Sequence, residues 1–414
     1  MEGGKERIFH RQELAKRLVD EMMSWDGSSG LFVAAPRRTG KSTFIREDLI
    51  PILTRNRGAE VVYVDLWADP AANPGDVIVD AIKNRLLELD GAILKAARTA
   101  GLDKLKIGGL ELSIERVGLG KGETLAKALT ALAKASGKPV VMVIDEAQHA
   151  LTTEDGTKAL FALKAARDAM NAGGGPGFRL LATGSNADKL NFLVDDKNQA
   201  FYQAPMIPLP LLDQSYLKWV QSGLKFNPAP SLNALNQAFQ MCDHRPEPLR
   251  NVLKDLKFRI GMDAQQVDDA LVRLMGDNLA RVRQAFIQQV SALRPLDAAV
   301  LKWMAALENK FAPYSKEAFA GYRSLVELVN GDDKSQVDQS AVQTSLERLR
   351  SENFVWRSGR GVYAIEDMRH LTWLKEMAAE ETVKAETANI RAPRVAAAKP
   401  AGKTRKLAAN SRKR

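Results

Sequence analysis

Nine consecutive residues near the N-terminus have the types and spacing of a phosphate-binding loop: Ala35-Pro36-Arg37-Arg38-Thr39-Gly40-Lys41-Ser42-Thr43. They follow an apolar run typical of a buried strand and open a helical stretch, so the loop N–H groups and the helix N-terminus would face phosphates. We expect Lys41 to reach the β- and γ-phosphates of ATP, and Ser42 to place its hydroxyl on Mg²⁺. Gly40 would let the backbone approach closely. The sequence therefore predicts that all nine residues form an ATP-binding Walker A loop.

The loop departs from the usual Walker A pattern at its first position. The pattern has a glycine there, and this chain has Ala35. A Cβ is tolerated wherever φ stays negative, so we expect Ala35 to keep a negative φ. A chance Gly-Lys-Ser at a helix start is the alternative, and an acidic pair further along the chain argues against it.

That acidic pair follows a second apolar run. Val140–Ile144 is continuously apolar and is followed by Asp145 and Glu146. Ligands of open α/β sheets bind at the carboxyl ends of the strands, where this pair would lie. We expect Asp145 to hold the magnesium through water, and Glu146 to take a proton from the attacking water. A merely solvated acidic pair is the alternative, and the upstream loop disfavours it.

Small polar residues end the next apolar run, in Ala182-Thr183-Gly184-Ser185-Asn186. A polar group here would lie between the two motifs in space and would sense the γ-phosphate. We favour Ser185 for this role, with Thr183 and Asn186 as rivals. A turn that simply uses small residues is the alternative.

Short apolar runs alternate with helical stretches through the first half of the chain. They are Leu31–Pro36, Glu60–Leu66, Pro139–Asp145 and Phe178–Thr183, with Pro205–Leu212 as a fifth candidate. Such runs suit parallel strands buried on both faces, and the alternation predicts a doubly wound α/β domain. The segment Lys104–Val117 alternates around a Gly-Gly pair, and a hairpin and an irregular loop fit it equally.

Beyond Gln214 the chain is predicted to be mainly helical. Breaks near Asn227–Pro230 and His244–Pro248 suggest a helical lid. Three further helices and a two-stranded hairpin then give a winged-helix pattern: Leu296–Leu307, Lys316–Val329, Gln339–Arg350 and Phe354–Ile365. We predict a P-loop NTPase core over residues 1–212, a lid over 213–280, a winged-helix domain over 281–376 and a basic disordered tail over 377–414.

These motifs resemble the AAA+/STAND side of the P-loop NTPases, especially the prokaryotic "archaeal ATPase" group. That group has a Pro-Arg-Arg-x-Gly-Lys-[Ser/Thr] loop, an Asp-Glu-x-Gln motif and a Thr-Gly-Ser strand end, matched here by Pro36–Ser42, Asp145–Gln148 and Thr183–Ser185. The resemblance covers roughly residues 5–260 and implies an ATP-hydrolysing core. Its lid turn is similar to Asp243–Pro246, although the glycines are absent here. The resemblance implies that Arg245 acts as a second phosphate sensor.

An arginine finger is not evident in the sequence. Ring-forming AAA+ motors usually place one after the first sensor, but Ala187–Pro210 contains no arginine, and its only cations are Lys189 and Lys197. This favours a switch that closes its own lid over the nucleotide. Arg167 and Arg179 remain candidates, so an oligomer stays possible.

Positive charge is concentrated at the C-terminus. The net charge is +10, and the 28 residues Thr387–Arg414 carry nine basic residues and no acidic one. A tail of this composition is expected to be disordered. It is either simply solvated or binds DNA through phosphate contacts.

The winged-helix pattern suggests contact with DNA or with protein. The third helix of such a module enters the major groove and the wing touches the backbone. Candidate DNA contacts are Gln339, Gln343, Arg348, Arg350, Arg357 and Arg360. The stretch from Arg281 to Glu376 carries 14 basic and 12 acidic residues, a weak footprint for DNA. Contact with the ATPase core or with a partner protein complex is the alternative.

The overall composition indicates a cytoplasmic protein without a membrane segment. The single cysteine, Cys242, excludes an internal disulfide and favours a reducing compartment. The N-terminus has no apolar signal-peptide region, and no apolar run approaches the ~20 residues that span a bilayer.

Three functions compete at this point. We favour a magnesium-dependent ATPase that acts as a nucleotide-controlled switch with DNA or a partner complex, in a mobile-element, replication or defence process. The alternative is a DNA-binding winged-helix regulator that keeps nucleotide as a structural ligand without significant turnover. A small-molecule or nucleotide kinase is disfavoured, because no acceptor-site motif accompanies the acidic pair.

Overall fold

The structure is a computed structural model that describes residues 7–24, 30–89, 105–107, 110–118, 120, 123–172, 177–185, 187–259, 261–330, 337–359 and 362–378. The chain divides into two compact units. The first comprises the described residues up to Arg294 together with Val355–Ala364, and the second comprises Pro295–Phe354 and the described residues from Ile365 onward. Within these ranges, every helix is too short or too polar to span a bilayer.

A five-stranded parallel sheet forms the centre of the first unit. The strands of this sheet and of a small hairpin are β1 (Gly30–Ala34), β2 (Glu60–Asp65), β3 (Leu105–Ile107), β4 (Leu110–Leu112), β5 (Val140–Asp145), β6 (Phe178–Gly184) and β7 (Met206–Pro208). The order in the sheet is β2-β5-β6-β1-β7, and every neighbouring pair is parallel. Strands β3 and β4 pair antiparallel, so the hairpin is confirmed over the irregular loop.

Eleven α-helices are described in the first unit. They are α1 (Gln12–Met23), α2 (Lys41–Phe44), α3 (Ile50–Arg55), α4 (Pro74–Leu89), α5 (Leu125–Ser136), α6 (Glu154–Ala172), α7 (Ala187–Asp195), α8 (Gln214–Ser222), α9 (Leu232–Met241), α10 (Pro246–Leu256) and α11 (Ala264–Ser291). A π-helical turn, Ile45–Leu49, joins α2 to α3, so the chain is helical from Lys41 to Arg55. Local signals set several ends: Thr124 caps the start of α5, and Gly137 ends it in the left-handed conformation.

Residues of each central strand alternate between two apolar cores, one on each face of the sheet. In β5, Val140, Met142 and Ile144 belong to one core, and Val141 and Val143 belong to the other. Helices α4, α5 and α6 cover the first core, whereas α1 and the helical segment after the loop cover the second. Burial on both faces explains the continuous apolar runs in the sequence and confirms the doubly wound α/β core.

Helices α8 to α11 enclose a separate apolar core within the same unit. The predicted breaks are found, since α8 ends at Ser222 and α10 begins at Pro246. The expected lid boundary at residue 280 falls inside helix α11. An Asp263 capping box fixes its start.

The second unit contains α12 (Pro295–Leu307), α13 (Lys316–Asn330) and α14 (Gln339–Ser351), together with a helix over 368–378. The hairpin strands β8 (Val355–Gly359) and β9 (Val362–Ile365) follow α14 in the chain and pair with each other. Three helices followed by a hairpin is the element order of a winged helix, as predicted. The predicted tail from residue 377 lies almost wholly outside the described residues, and the four-part division of the chain stays a prediction.

Four strands are shorter than the sequence suggested, and β2 and β5 differ by only one residue each. β1 ends at Ala34 rather than Pro36, because proline has no N–H for the ladder and the loop begins there. The fifth candidate, Pro205–Leu212, contributes only Met206–Pro208 as the edge strand β7.

Candidate functional site

The loop after β1 and the carboxyl ends of β5 and β6 meet at one edge of the sheet. Register places Ala34 opposite Gly184 and Ile144 opposite Ala182. Because parallel strands carry their carboxyl ends to the same edge, the loop, the acidic pair and the Thr-Gly-Ser strand end become neighbours. The predicted phosphate-binding, metal-binding and sensor positions therefore converge.

Lys41 lies at the centre of this edge and is only 5% exposed. Its Nζ forms a salt bridge with Asp145 Oδ1 and lies 2.8 Å from Glu146 Oε1. The Thr183 hydroxyl oxygen is 3.4 Å from the same Nζ. A buried ammonium group requires opposite charge nearby, and two carboxylates supply it here. Phosphate oxygens are chemically equivalent partners for this cation.

Asp145 is fully buried and binds three side chains at this edge. Ser42 Oγ donates to its Oδ2 at 2.7 Å, and Thr183 Oγ1 donates to the Oδ1 that also meets Lys41. A hydroxyl beside a carboxylate is a pair of hard oxygen ligands, which fits Mg²⁺. Ser42 and Asp145 would hold such an ion, whose charge would polarise the phosphate oxygens.

Glu146 is held by several donors in an uncommon backbone conformation. Its φ of 55° and ψ of 44° are left-handed, which is rare for a residue with a Cβ. Oε2 accepts hydrogen bonds from Ser185 N at 3.1 Å, Ser185 Oγ at 2.7 Å and Gln148 Nε2 at 2.5 Å. Strained backbone of this kind persists only where surrounding contacts hold it, and it is frequent at functional sites.

The environment of Glu146 lowers its pKa. Burial alone would raise it, but the charge of Lys41 and hydrogen bonds from Lys41, Ser185 and Gln148 outweigh burial and lower the pKa to about 2. The carboxylate is therefore ionised at neutral pH and is a weak base while Lys41 contacts it. Displacement of Lys41 Nζ toward a phosphate would raise the pKa of Glu146 again.

Gln148 positions Glu146 and itself depends on a glycine. Its side chain is nearly fully buried, and its Oε1 packs closely against Gly184. A Cβ at position 184 would lie 2.6 Å from that oxygen, closer than van der Waals contact allows. Gly184 therefore provides the space in which Gln148 can donate to Glu146.

The backbone of the loop turns at two residues with positive φ. Positive φ values occur at Arg38, with 63°, and at Gly40, with 85°, whereas Ala35 keeps a negative φ as predicted. A Cβ at Gly40 would meet no atom within 4 Å, so space beside the loop is open. Thr39 Oγ1 donates to the Pro36 carbonyl at 2.7 Å and ties the turn together.

Arg37 connects the loop to the rest of the edge. Its Nε donates to Ser185 Oγ at 3.2 Å, and its guanidinium carbon lies 5.0 Å from the centre of the Trp67 ring. The Trp67 ring in turn lies 4.3 Å from the ring of His149. Trp67 follows β2 directly, so this cluster also belongs to the carboxyl edge.

A cavity of about 710 Å³ opens beside Gly40 and Ser42. Aromatic side chains line much of it, including Phe9, Tyr216 and Trp219. Arg250 of α10 also lines the wall. The volume of the cavity lies within the range of ligand pockets. Aromatic surfaces with nearby cations suit a nucleoside with attached phosphates.

Comparison with known proteins identifies the fold. No family model matches the chain, and no curated protein matches it significantly in sequence. The Aeropyrum pernix ORC2 protein in its ADP form is similar in structure, with 14% identity over 92% of this chain and 97% of that chain and a TM-score of 0.50. The chain therefore shares the fold of this ORC2 structure.

Two further archaeal structures are similar to a lower degree. The Aeropyrum pernix ORC1 protein in complex with DNA is 15% identical over 91% of this chain and 92% of that chain, with a TM-score of 0.42. Cdc6p from Pyrobaculum aerophilum is 15% identical over 91% of this chain and 97% of that chain, with a TM-score of 0.36. Both scores are below 0.5, so the comparison of folds rests on the ORC2 structure.

Arg250, and not the predicted sensor Arg245, is among the residues that line the cavity beside the loop. The sensor role of Arg245 stays a prediction. Arg245 is 6% exposed and precedes the first turn of α10. The sequence does indicate that Arg250 faces the cavity, because the residues of α10 that line it recur with helical spacing. They are Pro246, Leu249, Arg250 and Leu253.

Two arginines considered as fingers lie at the opposite edge of the sheet. Arg179 is the second residue of β6, and its Nε donates to the Met22 carbonyl at 3.2 Å. An Arg167 nitrogen lies 3.6 Å from the Cβ position of Gly30, the first residue of β1. Both side chains are therefore near the amino ends of strands, away from the site.

The candidate DNA contacts of the predicted winged helix differ in their surroundings. Arg348 Nη2 and Nε donate to the two carboxylate oxygens of Asp297, at 2.7 Å and 2.9 Å. This bidentate pair makes Arg348 a structural residue rather than an available DNA contact. Arg350 is exposed. The side chain of Arg357 and all of Arg360 lie outside the described residues.

Proposed function

We propose that this protein is a magnesium-dependent ATPase that acts as a nucleotide-controlled switch associated with DNA. The contact of Lys41 with both Asp145 and Glu146 carries the proposal. A loop cation, a metal-binding carboxylate and a neighbouring base are the groups that phosphoryl transfer to water requires. Here all three occupy one edge of an AAA+ fold.

The loop and the cavity together fit ATP. Residues 35–43 would bind the phosphates through their N–H groups, with Lys41 on the β- and γ-phosphates. The base and ribose would occupy the cavity between the N-terminal segment and the lid, against Phe9, Tyr216 and Trp219. The similar ORC2 structure is an ADP form, which supports an adenine nucleotide.

Glu146 is the proposed base, and Ser185 is the proposed sensor. Ser185 contacts Glu146 through both its backbone N–H and its hydroxyl, so a change at the γ-phosphate would reach the base directly. Thr183 instead contacts Asp145 and Lys41, which suits a role beside the metal. Asn186 lies outside the described residues.

The switch proposal rests on contacts between the loop and the lid. Arg38 Nη1 lies 3.5 Å from Glu247 Oε2 at the start of α10. Both side chains are exposed, so the pair adds at most ~1 kcal/mol, and it would break readily when the lid moves. Because the same cavity is lined by the loop and the lid, nucleotide would favour the closed arrangement.

Association with DNA would rely on the basic residues of the C-terminal part. The exposed Arg350 and the basic stretch Thr387–Arg414 are the proposed contacts. An ATPase core combined with a basic C-terminal part suits a protein that acts in replication, mobile-element transfer or defence. A partner protein complex and a cytoplasmic location stay predictions from the sequence.

One observation favours a second function, a DNA-binding regulator that retains nucleotide without turnover. The pKa of Glu146 near 2 makes it a poor base as long as Lys41 pairs with it. If bound nucleotide left this pair intact, hydrolysis would be very slow. The two functions differ in one measurable property, the release of phosphate.

A turnover assay with the full chain tests the proposal. We expect ATP hydrolysis that depends on Mg²⁺, and DNA binding that changes between ATP and ADP. ATP binding without hydrolysis would support the regulator instead. Absence of ATP binding would contradict both functions.

A further inference from the structure

Arg37 is held at the carboxyl edge of the sheet by the side chains of two residues, Ser185 and Trp67, that follow different strands. Its Nε donates to Ser185 Oγ at 3.2 Å, and its guanidinium lies over the ring of Trp67. Trp67 is held in turn, because its backbone N–H donates to Asp65 Oδ1 at 2.9 Å and its ring lies against the ring of His149. A guanidinium held over an aromatic face loses little further freedom when it binds an anion.

A short hydrogen-bonded path joins Arg37 to the proposed base. Ser185 Oγ accepts from Arg37 Nε and donates to Glu146 Oε2 at 2.7 Å. The other carboxylate oxygen of Glu146 lies 2.8 Å from Lys41 Nζ. Arg37, through Ser185, and Lys41 thus reach the two different carboxylate oxygens of Glu146, Oε2 and Oε1. In the proposed ATPase, the γ-phosphate and the attacking water would meet beside this carboxylate.

We propose that Arg37 is a catalytic arginine supplied in cis. The inference rests on the proposed ATPase function. In hydrolysis, the water oxygen bonds to the γ-phosphorus, and the bond from that phosphorus to the bridging oxygen of ADP breaks. The water proton passes to the Glu146 carboxylate, and ADP and inorganic phosphate are the products. The Arg37 guanidinium contacts the γ-phosphate oxygens and neutralises the charge that develops there.

The rival arginines are placed unfavourably. Arg179 precedes Ser185 by six residues along β6, which at ~3.3 Å per residue puts it roughly 20 Å away. Arg167 lies beside Gly30 at the same distant edge. Arg38, the neighbour of Arg37, has a left-handed backbone and contacts Glu247 of the lid instead.

Arginine fingers usually come from a neighbouring subunit, and a mixing experiment separates the two cases. Arg37→Ala retains Glu146, and Glu146→Gln retains Arg37. For an arginine acting in trans, mixing the two inactive variants restores turnover. For an arginine acting in cis, the mixture stays inactive, and the wild-type rate per molecule does not rise with protein concentration.

The full chain is tested as Arg37→Ala, Arg37→Lys and Trp67→Leu, with Arg179→Lys as a matched control at the far edge. We expect Arg37→Ala to bind ATP within about 3-fold of wild type, to lose at least ~100-fold in turnover and to fail to trap ADP with magnesium and aluminium fluoride. Trp67→Leu, which keeps the guanidinium but removes its platform, should lose part of the turnover with unchanged ATP affinity. Arg179→Lys should hydrolyse ATP at the wild-type rate.

Each other outcome has a defined meaning. Wild-type turnover and trapping in Arg37→Ala would overturn this inference while leaving the ATPase proposal intact. Recovery in the mixture would overturn the cis assignment. A wild-type chain without turnover would contradict the ATPase proposal itself. If Arg37→Ala does not fold, the test uses Arg37→Lys, which keeps the positive charge but not the guanidinium. Wild-type turnover in both Arg37→Lys and Trp67→Leu would then overturn the inference.

Discussion

Lys41 Nζ lies 2.8 Å from Glu146 Oε1, so the residue proposed to bind phosphate is paired with the residue proposed to activate water. The same ammonium also bonds to Asp145. A phosphate that attracts Lys41 would therefore weaken its hold on Glu146 and raise the basicity of that carboxylate. In the proposed ATPase, binding of nucleotide and activation of the base would be coupled through this one buried cation.

Loss of the Lys41 cation should abolish ATP binding. Lys41→Ala removes the side chain expected on the β- and γ-phosphates and leaves two carboxylates to repel them. A fluorescent ATP analogue should show at least a ~100-fold weaker affinity, about 3 kcal/mol. Lys158→Ala is the control, since that exposed lysine pairs only with carboxylates of its own helix among the ion pairs described. Equal affinity of Lys41→Ala and wild type would refute the loop assignment.

Glu146 should make stability depend on acid pH. Its pKa is lowered from 4.5 to about 2 in the folded protein, so the unfolded chain takes up the proton first as pH falls. The stabilisation is present in full above pH 4.5 and is lost as pH falls toward 2. It amounts to on the order of 3 kcal/mol, at 1.36 kcal/mol per pKa unit.

Urea unfolding of wild type and Glu146→Gln across this pH range measures the effect. The free energy of unfolding of wild type should fall relative to that of the variant as pH decreases from 4.5. A difference between the two proteins that stays constant with pH would show that the Glu146 pKa is not lowered.

Gly184→Ala should impair turnover while leaving the fold intact. The added Cβ displaces the Gln148 amide, which then donates poorly to Glu146. We expect turnover to fall about 10-fold or more with little change in ATP affinity. Gly276→Ala is a suitable control, because a Cβ there meets only the end of Met241 at an ordinary 3.8 Å. Unchanged turnover in Gly184→Ala would show that Gln148 does not position the base.

Arg348→Ala should destabilise the second unit. It leaves the Asp297 carboxylate, which is 4% exposed, without its bidentate partner. Thermal unfolding should show a loss of roughly 1–3 kcal/mol, whereas Arg350→Ala, at an exposed position, should stay within about 0.5 kcal/mol of wild type. Wild-type stability of Arg348→Ala combined with weaker DNA binding would restore Arg348 as a DNA contact.

Removal of residues 387–414 should weaken DNA binding. The stretch carries nine of the ten net positive charges of the chain, so its phosphate contacts would dominate affinity. A gel-shift titration at two salt concentrations should show lower affinity and a smaller salt dependence for the shortened chain. Full affinity after truncation would assign DNA binding to another surface.

The sequence was most informative where a local pattern determines a local structure. The run from Ala35 to Thr43 carries its own turn and helix start, and Val140–Ile144 carries its own strand, so loop, strands and sheet class were predictable. Their convergence followed from a general property of parallel sheets. The structure agrees with the predicted sheet class and with the negative φ of Ala35.

Contacts between distant segments were not predictable in the same way. The Trp67 platform for Arg37, the Arg348–Asp297 pair and the aromatic cavity walls each join residues far apart in the chain. No single-segment periodicity specifies such pairs. The resemblance of the turn Asp243–Pro246 implied a role for Arg245, and only the packing of α10 shows that Arg250 lines the cavity.

Glu146→Gln tests the central claim most directly. The variant keeps the size of the side chain but cannot accept the proton of the attacking water. ATP turnover and ATP binding measured on the same samples, with Mg²⁺, should show wild-type affinity and a turnover lowered by ~100-fold or more. Turnover at the wild-type rate in Glu146→Gln would contradict the account.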